Sequence, residues 1–395
     1  MTAPPRIALT TYSVKPRGGV VHTLELAEAL HAAGVDVSVV AMGDPAVGFY
    51  REVAVPVHII RAPEVADTLE QRVFSWIEAM TSGLSELAGD FDIFHSQDCI
   101  SARAANRVRR AGGTFTMVRT VHHVDDFTTQ ALIDCQAAAI TEPDHILVVS
   151  ELWRRQLAED FDVSPHVVAN GVRTDRFTDV VLTAPERADL RARVGATDRH
   201  LFLTIGGIEP RKGSKYLVEA MGKLKADLAK SGTSKPPVLA VIGGHSFQDY
   251  REYREAVLGS LEELGLVPDV DMVLLGTVSD EDLPRWFRAA DSFVFPSVKE
   301  GWGLVILEAQ AAGLPVVASD IDVFHEFLVD GENALLTRTG DAASLAAGMA
   351  RVMSDSALVE QLKANGVQTA RHYSWDASAA QHAELYQRFA PADGA

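Results

Sequence analysis

Basic residues are in short supply in this chain. Its 395 residues carry 36 Lys and Arg against 54 Asp and Glu, a formal net charge of -18. Sequence-independent binding to nucleic acid or anionic lipid is therefore disfavoured, and a small-molecule partner is favoured. Cysteine is rarer still: Cys99 and Cys135 stand apart with no C-x-x-C pairing, which argues against a disulfide framework or thiolate zinc site and for two buried thiols. No run approaches the roughly 18 apolar residues of a membrane span. The opening Met1-Thr2-Ala3-Pro4-Pro5-Arg6 runs into an apolar strand with no cationic segment and apolar region of a signal peptide behind it. A cytoplasmic protein is expected, with membrane contact at most peripheral. G-x-G-x-x-G, G-x-x-x-x-G-K-[ST] and H-E-x-x-H are also missing, and with them the dinucleotide fingerprint, the P-loop and the metalloprotease helix.

What is present is a globular composition, 47% hydrophobic and 23% charged, in a chain long enough for two or three domains. Ile7–Thr10 reads as a strand, Tyr12–Gly19 as a glycine-bearing loop, and Val20–Ala33 as a helix with Leu24, Ala27, Leu30 and Ala33 at helical spacing; Val35–Ala41 returns to strand. Further strands are expected over 92–95, 114–120, 146–150 and 166–169, with helices over 70–87, 101–110 and 152–159. A polar, alanine- and arginine-rich stretch, 174–199, then reads as an inter-domain connection with some helix of its own. Beyond it the alternation restarts, with strands over 201–205, 238–242, 272–275, 292–295 and 334–336 and helices over 216–229, 250–264, 342–353, 356–366 and 374–389. Ser279-Asp280-Glu281-Asp282 has capping-box spacing for a helix reaching Ala290. Two α/β halves follow, each a doubly wound, mostly parallel sheet that binds ligands beyond the carboxyl ends of its strands.

The densest stretch is Pro296–Ser319: strand end, a loop relaxed by Gly301 and Gly303, a helix from Leu304 to Ala312, a Gly313-Leu314-Pro315 stop and another strand. Amides at a helix start reached through glycines make an anion site, for which phosphate is the leading occupant. Glu300 lies in the loop, and Glu308 lies in the apolar helix, where a carboxylate needs partners that sugar hydroxyls would supply. A second loop, Gly206-Gly207-Ile208-Glu209-Pro210-Arg211-Lys212-Gly213, sets two cations between a strand and a helix, suited to a diphosphate. Gly18-Gly19 is a weaker glycine loop at a helix start, and His22 reads as an ordinary first-turn residue. Thr120-Val121-His122-His123-Val124-Asp125-Asp126 follows a strand; consecutive ligands rarely converge on one ion, so a hydrogen-bonding imidazole is preferred to a metal centre. The D-x-D pairs at 90–92, 269–271 and 320–322 read as acidic loops. Arg103, Arg107, Arg109, Arg110 and Arg119 lie in a segment without acids, either a solvated helix face or a membrane- or acceptor-facing patch.

Glu300-Gly301-Trp302-Gly303-Leu304, with Glu308 eight positions after Glu300 and Gly313-Leu314-Pro315-Val316-Val317-Ala318-Ser319 behind, resembles the signature of retaining GT-B glycosyltransferases of family 4. The likeness spans nearly the whole chain: Gly18-Gly19, Thr120-Val121-His122, Asn170-Gly171-Val172, Gly276-Thr277-Val278-Ser279 and Tyr373-Ser374-Trp375 each resemble a family motif in the family's order. The resemblance implies a GT-B fold, two Rossmann-like doubly wound domains facing a central cleft that closes over the donor. Residues 1–172 would form the acceptor-side domain, 173–199 a linker and 200–373 the nucleotide-sugar domain, with 374–395 crossing back to the first. It implies a metal-independent, cofactor-free retaining transferase that moves a hexose-type sugar from a UDP- or GDP-sugar to an acceptor hydroxyl on a small molecule, glycan or lipid-linked substrate. Glu300 would bind the sugar's hydroxyls, Glu308 the ribose, and the amides of Gly301, Trp302, Gly303 and Leu304 the distal phosphate. His122 would sit by the sugar and acceptor path, Gly18 and Gly19 by the diphosphate, and Val278 in the base-side loop. Lys212 matches the family's phosphate-loop lysine, whereas the family's arginine falls on Gly207, so Arg211 is read as its substitute. A GT-B-like epimerase or hydrolase, and a non-catalytic nucleotide-sugar-binding module, remain as alternatives.

Overall fold

A computed structural model of the chain describes residues 4–64, 67–232, 235–244 and 250–390. Residues 1–3 and 391–395, included above in the first domain, lie outside the described residues. The chain divides by its contacts into two units, Met1–Gly171 with Ser374–Ala395, and Val172–Tyr373.

In the first unit the order is β1 (Ile7–Thr11), α1 (Gly18–Ala32), β2 (Val37–Gly43), β3 (Val57–Arg61), α2 (Leu69–Leu87), β4 (Ile93–Ser96), α3 (Cys99–Arg110), β5 (Thr116–Val121), α4 (Gln130–Thr141), β6 (His145–Val148), α5 (Glu151–Phe161) and β7 (His166–Val167). The strands form one parallel sheet in the order β3-β2-β1-β4-β5-β6-β7. Every residue of β1, β2 and β4 is buried, which is why they read as continuous apolar runs: helices cover both faces of a parallel sheet. The second unit contains α6 (Thr174–Thr178), α7 (Ala184–Arg193), β8 (Leu201–Ile205), α8 (Ser214–Lys230), β9 (Val238–Ile242), α9 (Arg251–Gly259), β10 (Met272–Gly276), α10 (Asp282–Ala289), β11 (Ser292–Phe295), α11 (Leu304–Ala311), β12 (Val316–Asp320), β13 (Leu335–Arg338), α12 (Ala342–Ser354) and α13 (Ser356–His372). Its parallel sheet runs β10-β9-β8-β11-β12-β13. The strand order reverses between β1 and β4 in the first sheet and between β8 and β11 in the second, and loops leaving such neighbours in opposite directions open a crevice at their carboxyl ends.

The last helix, α14 (Trp375–Phe389), belongs to the first unit. Ser374 caps it by accepting from the Ala377 N–H at 3.2 Å. Gly171 makes its close approach possible, since a Cβ there would lie 2.3 Å from the Trp375 nitrogen. Trp375, His382 and Tyr386 bury their side chains, and His95 Nδ1 meets the Tyr386 hydroxyl at 2.6 Å.

The structure departs from the sequence reading at several elements. β3 and α4 were not foreseen: β3 is an edge strand that is only half-buried, and α4 is alanine-rich with few apolar anchors. The stretch 174–199, read as a connection, folds onto the second unit, where Arg187 and Arg191 each meet an oxygen of Asp291 at 2.9 Å. The helix read over 250–264 stops at Gly259. Ser279 does not cap α10, whose preceding residue is Glu281; its Oγ accepts from the Asp282 N–H at 3.1 Å, closing the turn before the helix.

Candidate active site

The loop from β8 to α8 and the loop from β11 to α11 lie at the reversal point of the second sheet. The Val298 N–H donates to the Arg211 carbonyl at 2.9 Å, joining the two loops. Gly213 ends the first loop at φ 66°, and a Cβ there would lie 1.9 Å from the Pro296 carbonyl oxygen. Gly213→Ala is expected to cost about 3 kcal/mol or more of stability, because left-handed strain adds to a backbone collision; urea titration of the variant would measure it, and a loss under about 0.5 kcal/mol would refute this account.

The clasp brings the charged side chains together. Glu300 accepts from Lys212 Nζ at 2.7 Å through one oxygen and from Arg211 Nη1 at 2.9 Å through the other. The Lys212 ammonium also lies 4.7 Å from the centre of the Phe295 ring. The Glu300 side chain is 9% exposed and that of Lys212 17%, so these two form a nearly dry pair, with Arg211 more exposed at their side and Glu209 3.8 Å from its Nη2. Burial by itself would raise the Glu300 pKa, but the charge of Lys212, then that of Arg211, overrides it and lowers the value to about 2. Burial draws Lys212 below its ordinary value, against the opposing pull of Glu300. Glu300 is thus a permanent anion suited to accept from hydroxyls, and two donors stand beside it for an incoming anion.

Gly207 adopts φ 73° and a Cβ there would lie 3.0 Å from the Gly244 carbonyl oxygen. Any larger residue at this position, the family's arginine included, would be strained. Gly303 precedes α11 at φ 116° with no side-chain cap, leaving the first-turn amides of Leu304 and its successors without one. Glu308 is buried on the same helix, 8% exposed. The Trp302 indole is stacked on Phe327 at 4.9 Å and edge-on to Tyr373 at 5.4 Å, which buries the ring within the second unit. Val278 is half-buried in the loop after β10.

In the first unit, Gly18 and Gly19 open α1 without a side-chain cap. His122 lies beyond β5, and a Cβ on Gly19 would be 3.9 Å from its ring. Here the residue read as ordinary, His22, is the surprise. It is 1% exposed, its Nδ1 lies 2.8 Å from Asn170 Oδ1, and its ring is edge-on to His122 at 4.6 Å and to Trp375 at 5.2 Å. His382 stands 6.4 Å from His22 and 5.7 Å from His95. Asn170, His122 and Trp375 lay in motifs legible in the sequence, but nothing there pointed to His22, His95 or His382 as their neighbours.

Other candidates resolve into structural pairs. Asp92 pairs with Arg6 at 2.9 Å, Asp271 with Arg199 and Lys225 at 2.7 Å each, and Asp320 with His325 at 2.6 Å. Among the described residues no group of three or more His, Cys, Asp or Glu is arranged to hold a metal ion. The arginine segment is no basic patch: Arg103 and Arg110 pair with Glu142, Arg107 with Glu78 and Arg109 with Asp144, while Arg119 is buried. Among the described residues no helix is long and apolar enough to cross a membrane.

Two doubly wound parallel sheets, the second with a paired-cation loop beside a glycine-led helix start, define a GT-B fold. Solved structures agree on the fold: sucrose-phosphate synthase of Thermosynechococcus elongatus matches with TM-score 0.80 at 22% identity over 97% of this chain and 98% of its own. HepE of Anabaena, solved with UDP and glucose, matches with TM-score 0.80 at 17% identity over 97% of this chain and all of its own. The family model for glycosyltransferase family 4 matches residues 16–176 and that for glycosyl transferases group 1 matches residues 186–369. Phosphatidyl-myo-inositol mannosyltransferase of Mycolicibacterium smegmatis is 30% identical, covering 95% of this chain and 92% of its own. D-inositol 3-phosphate glycosyltransferase of a Nocardioides strain is 28% identical, covering 93% and 84%. The chain belongs to the family 4 glycosyltransferases.

Proposed function

We propose that this glycosyltransferase moves a hexose-type sugar from a UDP- or GDP-sugar to an acceptor hydroxyl with retention of anomeric configuration and without a metal ion. The observation that carries this reading is the clasp of Arg211 and Lys212 on Glu300 at the reversal point of the second sheet. An arriving diphosphate competes with Glu300 for the two cations, and the freed carboxylate turns to sugar hydroxyls. The bond between the anomeric carbon and the phosphate oxygen then breaks towards an oxocarbenium ion. Its electron pair goes to the phosphate, where Lys212, Arg211 and the α11 amides stabilise the charge. The acceptor oxygen bonds to the anomeric carbon on the face the phosphate leaves, and its proton passes to a phosphate oxygen. Glu308 is assigned to the ribose and the Val278 loop to the base side.

The names of the relatives suggest the acceptors to try first: myo-inositol, inositol phosphate and a phosphatidylinositol dispersion. One sugar nucleotide at a hundredfold excess over its Kd is expected to stabilise the protein by about 2.7 kcal/mol. The productive pair should give a product of the donor's own anomeric configuration by proton NMR, at a rate unaffected by EDTA. Inversion, or dependence on added Mn2+, would overturn the mechanism. Release of free sugar as the main product with every acceptor would favour a hydrolase, and binding without turnover would favour the non-catalytic module.

A further inference from the structure

Gln97 is the first residue beyond β4, beside the reversal point of the first sheet, and is 3% exposed. Its N–H donates to the Thr10 carbonyl at 2.9 Å, which ties it to the end of β1. Its Oε1 lies 3.0 Å from His122 Nε2. An amide oxygen only accepts, so the proton of this bond belongs to His122 Nε2, and the lone pair of the neutral ring is on Nδ1. The other end of the amide is informative as well: Gln97 Nε2 is buried and has no hydrogen-bond partner among the described residues. An unsatisfied buried donor is costly, and an apolar side chain of the same length would avoid the cost. Turning the amide over would move the orphan to the oxygen and the ring proton to Nδ1, so amide orientation and imidazole tautomer are locked together.

We propose that Gln97 is a positioning residue for His122: by accepting from Nε2–H it fixes the plane and tautomer of the imidazole, so that Nδ1 is the atom offered to a substrate hydroxyl. The substrate half of this assignment rests on the sugar-transfer reading; the tautomer does not. The ring is confined further by the edge of His22 at 4.6 Å. The titratable groups that act most strongly on His122 are His22 from α1, Arg119 from β5, the adjoining His123 and His95 from β4, and each of them lowers its pKa. Together with burial, which is the largest influence, they keep His122 neutral by lowering its pKa well below the ordinary value. A neutral ring is the one state in which the tautomer matters.

The test uses the full-length protein labelled with 15N-histidine, the His122 signals being assigned by their loss in His122→Asn. Wild type is expected to show a protonated Nε2 and an unprotonated Nδ1 at pH 7. Gln97→Met should lose that single-tautomer pattern while the other histidine signals stay in place, and Gln97→Glu, whose carboxylate also accepts, should restore it and raise the pH at which His122 titrates. With the productive donor and acceptor, kcat/KM should fall at least tenfold in Gln97→Met, mostly through kcat, with partial recovery in Gln97→Glu. A wild-type ring protonated on Nδ1, or a tautomer indifferent to Gln97→Met, would overturn the proposal. If no donor supports turnover, the transfer reading fails while the tautomer measurement still decides the role of Gln97.

Discussion

Lys212→Met is expected to lower kcat by about a hundred- to a thousandfold, the usual cost of removing one donor aimed at charge that develops in the transition state. Methionine keeps the apolar stem that runs along the space left by Gly206, where a Cβ would already come within 3.0 Å of the lysine's Cε, and loses the ammonium over the Phe295 ring. What is removed is the charge, and Glu300 feels it first. Lys212 is the largest of the influences that hold the Glu300 carboxyl at about 2, so in the variant that pKa rises and the acid limb of the pH-rate profile moves upward. Glu300, with a folded pKa below its unfolded one, adds stability above about pH 4.5 that is lost as pH falls through 2; Lys212→Met should forfeit part of it at neutral pH. Lys212→Met/Glu300→Gln, which also removes the buried carboxylate left with Arg211 as its one remaining cation of the clasp, should be more stable than Lys212→Met and equally inactive. Pre-steady-state turnover and urea titration of the three proteins measure both effects. Activity within threefold of wild type in Lys212→Met would refute the assignment of leaving-group stabilisation to this loop.

The second large effect concerns acid. His22, His95 and His382 are at most 1% exposed. Burial lowers all three, His22 to about 3, His382 to about 4 and His95 well below its ordinary value. Each therefore stays neutral in the folded unit down to acidic pH, while in the unfolded chain it takes up a proton near pH 6.5. The unfolded state binds more protons, so stability is present above pH 6.5 and falls as pH drops towards the folded values. Each group contributes about 1.3 kcal/mol of loss between pH 7 and pH 5.5, or about 4 kcal/mol for the three. That is comparable with the whole stability of many domains. Melting followed by circular dichroism from pH 7 to pH 5 should show the first unit losing stability steeply, and His382→Gln should make the loss between pH 7 and pH 5.5 smaller by about 1.3 kcal/mol. A melting temperature that is flat over this range would rule the effect out.

Much of the donor site was legible from residues close together in the chain. The glycines at 206–207, 213 and 303 mark backbone of positive φ that only glycine enters easily, and the run from Pro296 to Ser319 announced strand, loop and helix by composition alone. Glu300, Arg211 and Lys212 were chosen by charge type and loop position, but that one carboxylate joins both cations came only from the fold. The misses have a common form. β3 and α4 lack strong periodicity, and the stretch 174–199 gave no sign of the Asp291 pairing that binds it to the second unit. The arginines of α3 suggested a patch because their partners, Glu78, Glu142 and Asp144, lie on other elements.

By itself, then, the sequence determined the two parallel α/β halves, their glycine loops and the family, because helical and strand periodicity and turn conformation are settled within a few residues of backbone. The tertiary structure alone decided which charges and rings meet: Lys212 with Glu300, 88 residues apart, His22 with Asn170, 148 apart, and His95 with Tyr386, 291 apart. Such encounters depend on the order of strands in a sheet and on where the last helix docks. Both are set by the burial of whole faces, which no local pattern records.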